Sequence, residues 1–426
     1  MEQMGDAVAI FPAAPQATRS NDVEYRYRQD NDFYYLTGFP EPESLCVLLP
    51  PGEKKRFVLF VLPRDPEKET WNGRRFGVDG AKESFGADAA YTIDQVEEVL
   101  LPILAHTHRV YYSLGRYEHM DARVLAITKQ SRGQRERTGE GIVSLVDPTE
   151  VLHEMRLHKS AVELELMRTA AEASAHAHRE AMRSARAGAY EYELEAVLEY
   201  HFRRLGGSGP AYPSIVASGV NATILHYTNN DRQMRAGELV LIDAGAEFGC
   251  YSSDVTRTFP VSDGFSDAQR RVYEVVLQAQ KDAIQMVRPG TRFDAVHQRA
   301  TETLVDGMRD LGFLEGETAS IIEKRDHSRF YMHRTSPWLG MDVHDVGKYR
   351  LAGESRELAE GMVLTVEPGI YIAEDAHGVD DAYRGIGVRI EDDVLVTADS
   401  NDVLTAMIPK EVEELEAIRQ EALTGC

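Results

Sequence analysis

Cysteine is scarce. This chain of 426 residues has three, Cys46, Cys250 and Cys426. An odd count at wide spacing argues against a disulfide framework and fits reduced thiols in a cytoplasmic setting. Basic residues are also short, with 47 Lys and Arg against 70 Asp and Glu and a formal net charge of −23. That balance speaks against a nucleic-acid backbone or an anionic membrane as partner. Long apolar runs are missing. Stretches such as Leu239–Ile242 are far too short to span a bilayer, and no apolar core follows a basic start near Met1, so no signal peptide is expected. Repeats and low-complexity segments are absent. What remains is an ordinary globular balance, 43% hydrophobic and 27% charged, on a length that suggests two or three domains.

The organisation changes along the chain. Ser44–Pro50 and Arg56–Pro63 are apolar runs of strand length bounded by Pro, Gly and charge, Ile93–Leu104 reads as an amphipathic helix, and Arg109–Ser113 as another strand. This pattern predicts a small α/β domain over 1–152, with Tyr25–Phe39 ahead of its strands as a candidate surface loop. The boundary falls near Asp147–Leu157. The remainder, 153–426, reads as α+β, with helices grouped against a largely antiparallel sheet. Ser160 with Glu163 and Ser266 with Gln269 form capping-box pairs. Val162, Leu166, Ala170, Ala173 and Ala177 recur at helical spacing after the first. Strands are predicted at Pro210–Ser218, Leu239–Gly245, Met362–Val366, Gly387–Glu391 and Val394–Thr397.

The chemistry centres on Leu239–Pro260, LVLIDAGAEFGCYSSDVTRTFP. It reads as two strands joined by a turn around Glu247-Phe248-Gly249. Asp243 and Asp254 lie equally far from the middle of that turn. A simple hairpin makes them directly opposed on one face, with Cβ atoms ~4.5–5.5 Å apart. Carboxylates that close repel unless a cation or proton lies between them. A solvated acidic pair, or one protonated Asp, is the plain alternative to a metal. Two further acids stand at strand ends. Glu367 closes Met362–Val366, and Glu391 shares a face with Arg389 while Val388 and Ile390 take the other. Each alone is an ordinary surface acid; together the four suit a hard or borderline cation such as Mn²⁺. His226, in ATILHY, and His333 and His344, in YMHRTSPWLGMDVHDVG, lie in Gly-rich, aromatic loops beside them.

The order NATILHY, LVLIDAGAEFGCYSSDVTRTFP, MHRTS-WLGMDVHDVG, GMVLTVEPGIYI and YRGIGVRIEDDVLVT resembles the creatinase and aminopeptidase superfamily with the pita-bread fold, and within it the Xaa-Pro aminopeptidases (aminopeptidase P). The likeness extends through TRSNDVEYRYRQDNDFYYLTGFPEPES and ETWNGRRFG, and so covers essentially the whole chain. It implies a dinuclear metallo-exopeptidase that releases the N-terminal residue from peptides with proline at the second position, by attack of water bridged between the metals. Asp243 and Asp254 match metal ligands, Asp254 bridging. Glu367 and Glu391 match ligands too, Glu391 bridging and Glu367 doubling as general base. His226, His333 and His344 match residues that orient the peptide carbonyl and steady the oxyanion. Arg389 matches a charge-balancing arginine. Trp71 matches a tryptophan that a neighbouring subunit lends to the pocket, which implies a homo-oligomer, dimer or tetramer. Two divalent ions, Mn²⁺ with Zn²⁺ or Co²⁺ as substitutes, complete the expected site.

One position departs from the pattern. A fifth ligand, histidine, is expected just before Trp-Leu-Gly, and here Pro337 stands there. Proline offers no donor atom. The ion shared by Asp254, Glu367 and Glu391 therefore lacks an imidazole, while the ion of Asp243, Asp254 and Glu391 keeps its protein ligands. Three readings follow. His333 or water fills the position in an enzyme with one weak site; or the chain is a non-catalytic, peptide-binding homologue; or the proline is a single-base change from a histidine codon. Prolidase, which takes only Xaa-Pro dipeptides, is the nearest enzymatic alternative.

Overall fold

The computed structural model describes residues 2–424. The chain divides into two compact units, Met1–Glu154 and Met155–Cys426. A mixed six-stranded sheet organises the first. Val8–Pro12 lies inside it, antiparallel to Leu45–Leu48 and parallel to Arg109–Tyr111. Phe57–Val61 and Ala89–Thr92 extend one side, and Ser144–Val146 closes the other. Side chains alternate across a strand with period two. Leu45, Val47, Val58 and Phe60 thus join an apolar cluster with helices Val96–Leu104 and Glu118–Thr138, while Cys46, Leu48, Leu59 and Val61 join another on the opposite face.

The expected loop Tyr25–Phe39 instead holds a helix, Asn31–Thr37. Asp30 accepts from the Phe33 backbone N–H at 2.9 Å, and Gly38, at φ 62°, ends it. Phe33 within it and Phe39 just after it are buried. About two turns leave too little periodicity to stand out among aromatic and charged neighbours.

Four longer helices frame the second unit. Ala161–Ser184 packs on Glu191–Arg204, and Asp267–Met286 on Phe293–Asp310. Both capping boxes form, Ser160 with Glu163 and Ser266 with Gln269. The apolar stripe of the first helix starts later than expected: Val162, in the first turn, is 68% exposed, whereas Ala170, Ala173 and Ala177 are buried. Among the described residues every strand pairing in this unit is antiparallel, but the strands do not form one sheet. Leu239–Asp243 lies between Ile215–Ser218 and Thr256–Pro260. Asp392–Val396 lies between Val363–Val366 and Asn401–Val403. Gly369–Tyr371 pairs with Gly387–Arg389 in a short ladder.

These pieces are stitched together around one seam. The Glu391 N–H donates to the Thr256 carbonyl at 3.0 Å, and the Thr258 hydroxyl donates to the Arg389 carbonyl at 3.0 Å. Ile390 and Val388 point away from the seam into the apolar core with Ile242, Phe259 and Val272.

The hairpin register differs from expectation. Asp243 pairs with Thr256, not Asp254, and Phe248 pairs with Tyr251. The two turn residues are Gly249 and Cys250, at φ 58° and 68°. Consecutive positive φ values are what a tight hairpin turn matching the strand twist requires. A non-glycine residue seldom takes that conformation, so the sequence pointed one residue too early. Gly245 lets the two strands close beyond this point, since a Cβ there would lie 1.7 Å from the Ser253 carbonyl oxygen.

Candidate metal centre

A cavity of about 1050 Å³ opens on the seam, and Asp243, Asp254, Glu367 and Glu391 all line it. Asp243, Asp254 and Glu391 each offer a carboxylate oxygen within 4.8 Å of the others. The shifted register makes Asp254 a diagonal rather than a direct neighbour of Asp243, and diagonal pairs still meet across a ladder. Glu367 lines the same cavity but stands outside that compact trio.

The trio's surroundings are polar and fixed. Asp243 accepts from the Tyr212 hydroxyl at 2.6 Å and from Arg389 Nη2 at 2.6 Å. Glu391 accepts from the Thr256 hydroxyl at 2.7 Å. That same hydroxyl accepts from Arg389 Nε at 3.1 Å, and Arg389 Nη1 donates to the Tyr371 hydroxyl at 3.0 Å. Asp254 is held from behind, its N–H donating to Asp393 Oδ1 at 3.1 Å. Glu367 is anchored through its N–H to the Thr335 carbonyl at 2.9 Å.

Burial strips water from these acids and each repels the next. Burial and then Asp243 push the Asp254 carboxyl far above its ordinary range. Burial and then Asp254 do the same to Glu391, with Arg389 and the Thr256 hydroxyl opposing. Burial and then Glu391 raise Glu367. Converging acids that resist ionisation are a donor set short of positive charge, since among the described residues Arg389 is the one cation bonded to any of them. Oxygen-rich donors of this kind suit divalent cations, and a bound cation would remove the mutual repulsion.

Glu391 begins a run of three successive acids with three environments. Asp392 turns away from the cavity. Burial raises it, but Arg257 at 2.7 Å and Lys410 at 2.5 Å win and bring it down to about 2. Asp393 is pushed up to about 8 by burial, despite the hydroxyl of Ser253 and the N–H of Asp254.

The histidines divide. His226 and His344 are exposed on the cavity wall. His333 is more enclosed, and burial followed by Arg389 brings its imidazole down to about 4, so it is neutral near pH 7. Its Nδ1 lies 2.8 Å from the Arg334 carbonyl and its Nε2 2.9 Å from the Tyr371 hydroxyl. A neutral ring that donates from Nδ1 to a carbonyl must accept at Nε2, so both nitrogens are engaged. Pro337 also lines the cavity, and its carbonyl accepts from the Thr365 N–H at 3.1 Å. Next to it the buried Ser336 hydroxyl has no partner among the described residues. Trp71 is not among the lining residues; it stands on the short helix Pro66–Asn72 with 86% of its surface exposed.

Tyr212, Thr256, Tyr371 and Arg334 were not singled out by the sequence. Tyr371 stands in the quoted segment GMVLTVEPGIYI, four residues after Glu367, without being picked out there. The others acquire meaning only through partners 31 to 135 residues away, as with Tyr212 on Asp243 and Thr256 on Glu391.

Comparison with known proteins agrees with this geometry. Residues 165–398 match metallopeptidase family M24, and residues 1–111 match the aminopeptidase P N-terminal domain. The chain is 45% identical to the Xaa-Pro aminopeptidase of Escherichia coli (strain K12), covering 98% of this chain and 95% of that one. It is similar to the solved structure of Pseudomonas aeruginosa aminopeptidase PepP, with 48% identity, a TM-score of 0.96 and coverage of 99% and 95%. It also resembles zinc-substituted E. coli aminopeptidase P in complex with product, with 43% identity, a TM-score of 0.94 and coverage of 98% and 95%. A pita-bread metallopeptidase unit preceded by an α/β unit is therefore the architecture, and the chain belongs to metallopeptidase family M24, with the N-terminal domain of the aminopeptidases P.

Proposed function

We propose that this chain is a metal-dependent exopeptidase that removes the N-terminal residue from peptides whose second residue is proline. The observation that carries the reading is the convergence of Asp243, Asp254 and Glu391 within 4.8 Å in a cavity large enough for a short peptide. The identity with a named Xaa-Pro aminopeptidase over nearly the full chain supplies the substrate class.

Asp243, Asp254, Glu367 and Glu391 are the side chains that would hold two divalent ions, Mn²⁺ by preference. Such ions supply Lewis acidity, polarising a carbonyl and acidifying a water. Glu367, whose proton affinity burial raises, takes the proton of the attacking water and returns it to the proline nitrogen. His344 and His226 face the carbonyl and donate to the developing oxyanion. His333, with both nitrogens engaged, positions Tyr371 rather than donating itself. Arg389 fixes Asp243 and balances the acids. Pro337 offers no donor atom where an imidazole would be expected, so an ion held there with Glu367 would be the more weakly bound. The net charge of −23 supports a protein without nucleic-acid partners, and among the described residues no helix is long and apolar enough to cross a membrane. A cytoplasmic homo-oligomer, in which the exposed Trp71 reaches a neighbour's pocket, completes the proposal.

Metal content and hydrolysis of Gly-Pro and Gly-Pro-Ala, measured on this chain and on Pro337→His, test it. Cleavage of the tripeptide with Mn²⁺ is expected, together with tighter binding of a second ion in the variant. Cleavage of the dipeptide alone would make the protein a prolidase. Metal binding without cleavage in either form would make it a peptide-binding relative.

A further inference from the structure

The cavity has two electrical ends. Among its described lining residues two side chains carry a guanidinium, Arg389 and Arg334. Arg389 is 3% exposed and committed to Asp243, Thr256 and Tyr371. Arg334 is the opposite case, with 68% of its side chain exposed. Its nearest acid, Asp294, lies 3.6 Å away. That is too long for a hydrogen bond. Asp294 is also answered at 2.5 Å by Arg350, so it does not depend on Arg334. Among the described residues Arg334 thus presents a planar set of donors at the cavity wall with no hydrogen-bonded acid, its one ion pair being the 3.6 Å contact with Asp294.

The backbone fixes where that cation stands. His333, one residue earlier, points inward to Tyr371 and lies 3.8 Å from Glu367, and its Nδ1 is tied to the Arg334 carbonyl. The Arg334 side chain instead leaves toward Asp294, in the first turn of Phe293–Asp310, with Phe293 and Tyr349 lining the same wall. A peptide's ammonium end is drawn to the carboxylates and repelled by a guanidinium. Its carboxylate end has the reverse preference. Guanidinium matches a carboxylate in two parallel hydrogen bonds.

Building on the exopeptidase reading, we propose that Arg334 binds a substrate carboxylate on the C-terminal side of the scissile bond, making it a specificity-determining residue. The carboxylate is either the free C-terminus of a short peptide or an acidic side chain following the proline. Short or acidic peptides are thereby preferred over long neutral ones.

The test uses the metal-loaded protein and Arg334→Gln, with Arg334→Lys as the conservative variant. Kinetics are measured on Gly-Pro-Ala, its C-terminal amide, and Gly-Pro-Asp amide. Pro-Ala, Pro-Ala amide and Pro-Asp amide, which contain no Xaa-Pro bond, are titrated calorimetrically against the same proteins. The expected result is a KM and Kd for the free acid roughly fivefold higher in Arg334→Gln, the scale of an exposed ion pair. The kcat and the constants for the neutral amide stay unchanged, and lysine restores part of the loss. A loss limited to the free acids assigns the α-carboxylate; a loss shared by the aspartyl amides adds the side chain. Equal effects on all three peptides, or none, overturn the assignment. Product binding with this contrast but no cleavage of any tripeptide would sink the exopeptidase reading and leave the Arg334 site standing.

Discussion

Replacing Thr256 with valine keeps the branched shape of the side chain and deletes one hydroxyl. That hydroxyl is fully buried, donates to Glu391 at 2.7 Å and accepts from Arg389 at 3.1 Å. The variant leaves the buried Glu391 carboxyl and the buried Arg389 guanidinium each short of a partner. A hydrogen bond to a charged group contributes about 1.5–3 kcal/mol, so a loss of ~3 kcal/mol is a conservative expectation. Spread over the unfolding entropy of a unit of about 270 residues, that lowers Tm by about 5 °C. The effect on metal is separate. The hydroxyl favours the charged form of Glu391, against burial and Asp254. Without it the proton competes better with a cation, and affinity drops by roughly 10–100-fold, the usual scale for a residue that orients a ligand. Calorimetric melting of the metal-free protein reads the first effect, and a chelator-competition titration with Mn²⁺ at neutral pH reads the second. An unchanged Tm together with a Kd within about twofold of the parent would refute the role given to Thr256.

Gly245→Ala should be far more damaging. Its Cβ would meet a backbone carbonyl at 1.7 Å, so the strands carrying Asp243 and Asp254 must part, at a cost above ~4 kcal/mol; loss of soluble, metal-binding protein checks it. Metal removal should destabilise more at pH 8 than at pH 6. Asp254, Glu367 and Glu391 have raised affinities for protons, so the metal-free native state binds more protons than the unfolded chain and loses stability as pH rises. The Tm gap between loaded and stripped protein at the two pH values measures this, and a constant gap would contradict it. His178 behaves in the opposite sense. Burial lowers it to about 4 while its Nε2 donates to the Ala244 carbonyl at 2.8 Å. It should stay neutral down to pH 5, and the stability it contributes should be present above ~6.5 and lost as pH falls toward 4. An imidazole NMR signal titrating near 6.5 would overturn that.

Much of this architecture was legible from local rules. Capping boxes need only residues three apart, and Ser160 with Glu163 and Ser266 with Gln269 both announced their helices. The alternation of Val388 and Ile390 against Arg389 and Glu391 separated core from cavity without any tertiary information. What failed was register. A turn centred on Gly249-Cys250 requires a cysteine at positive φ, which no composition rule anticipates, so Asp243 was set opposite the wrong residue. The carboxylate pair survived the error because a shift of two residues preserves the face. Thr256 and Tyr212 were invisible for another reason. A threonine in a strand and a tyrosine in a loop are ordinary until a distant acid lands beside them.

The run Glu391-Asp392-Asp393 shows how little chemical identity fixes behaviour. Side chains of nearly the same kind face an acid-lined cavity, a pair of cations, and a hydroxyl with an amide. Asp392 is ionised at any physiological pH, while Asp393 sits near its midpoint at about 8. Position in the strand, not residue type, is what the fold reads here, so the segment works like a three-pin plug. A composition-neutral rearrangement that leaves all three acids in the chain, such as deleting Ile390 and adding a residue after Asp393, would seat every pin in the wrong socket.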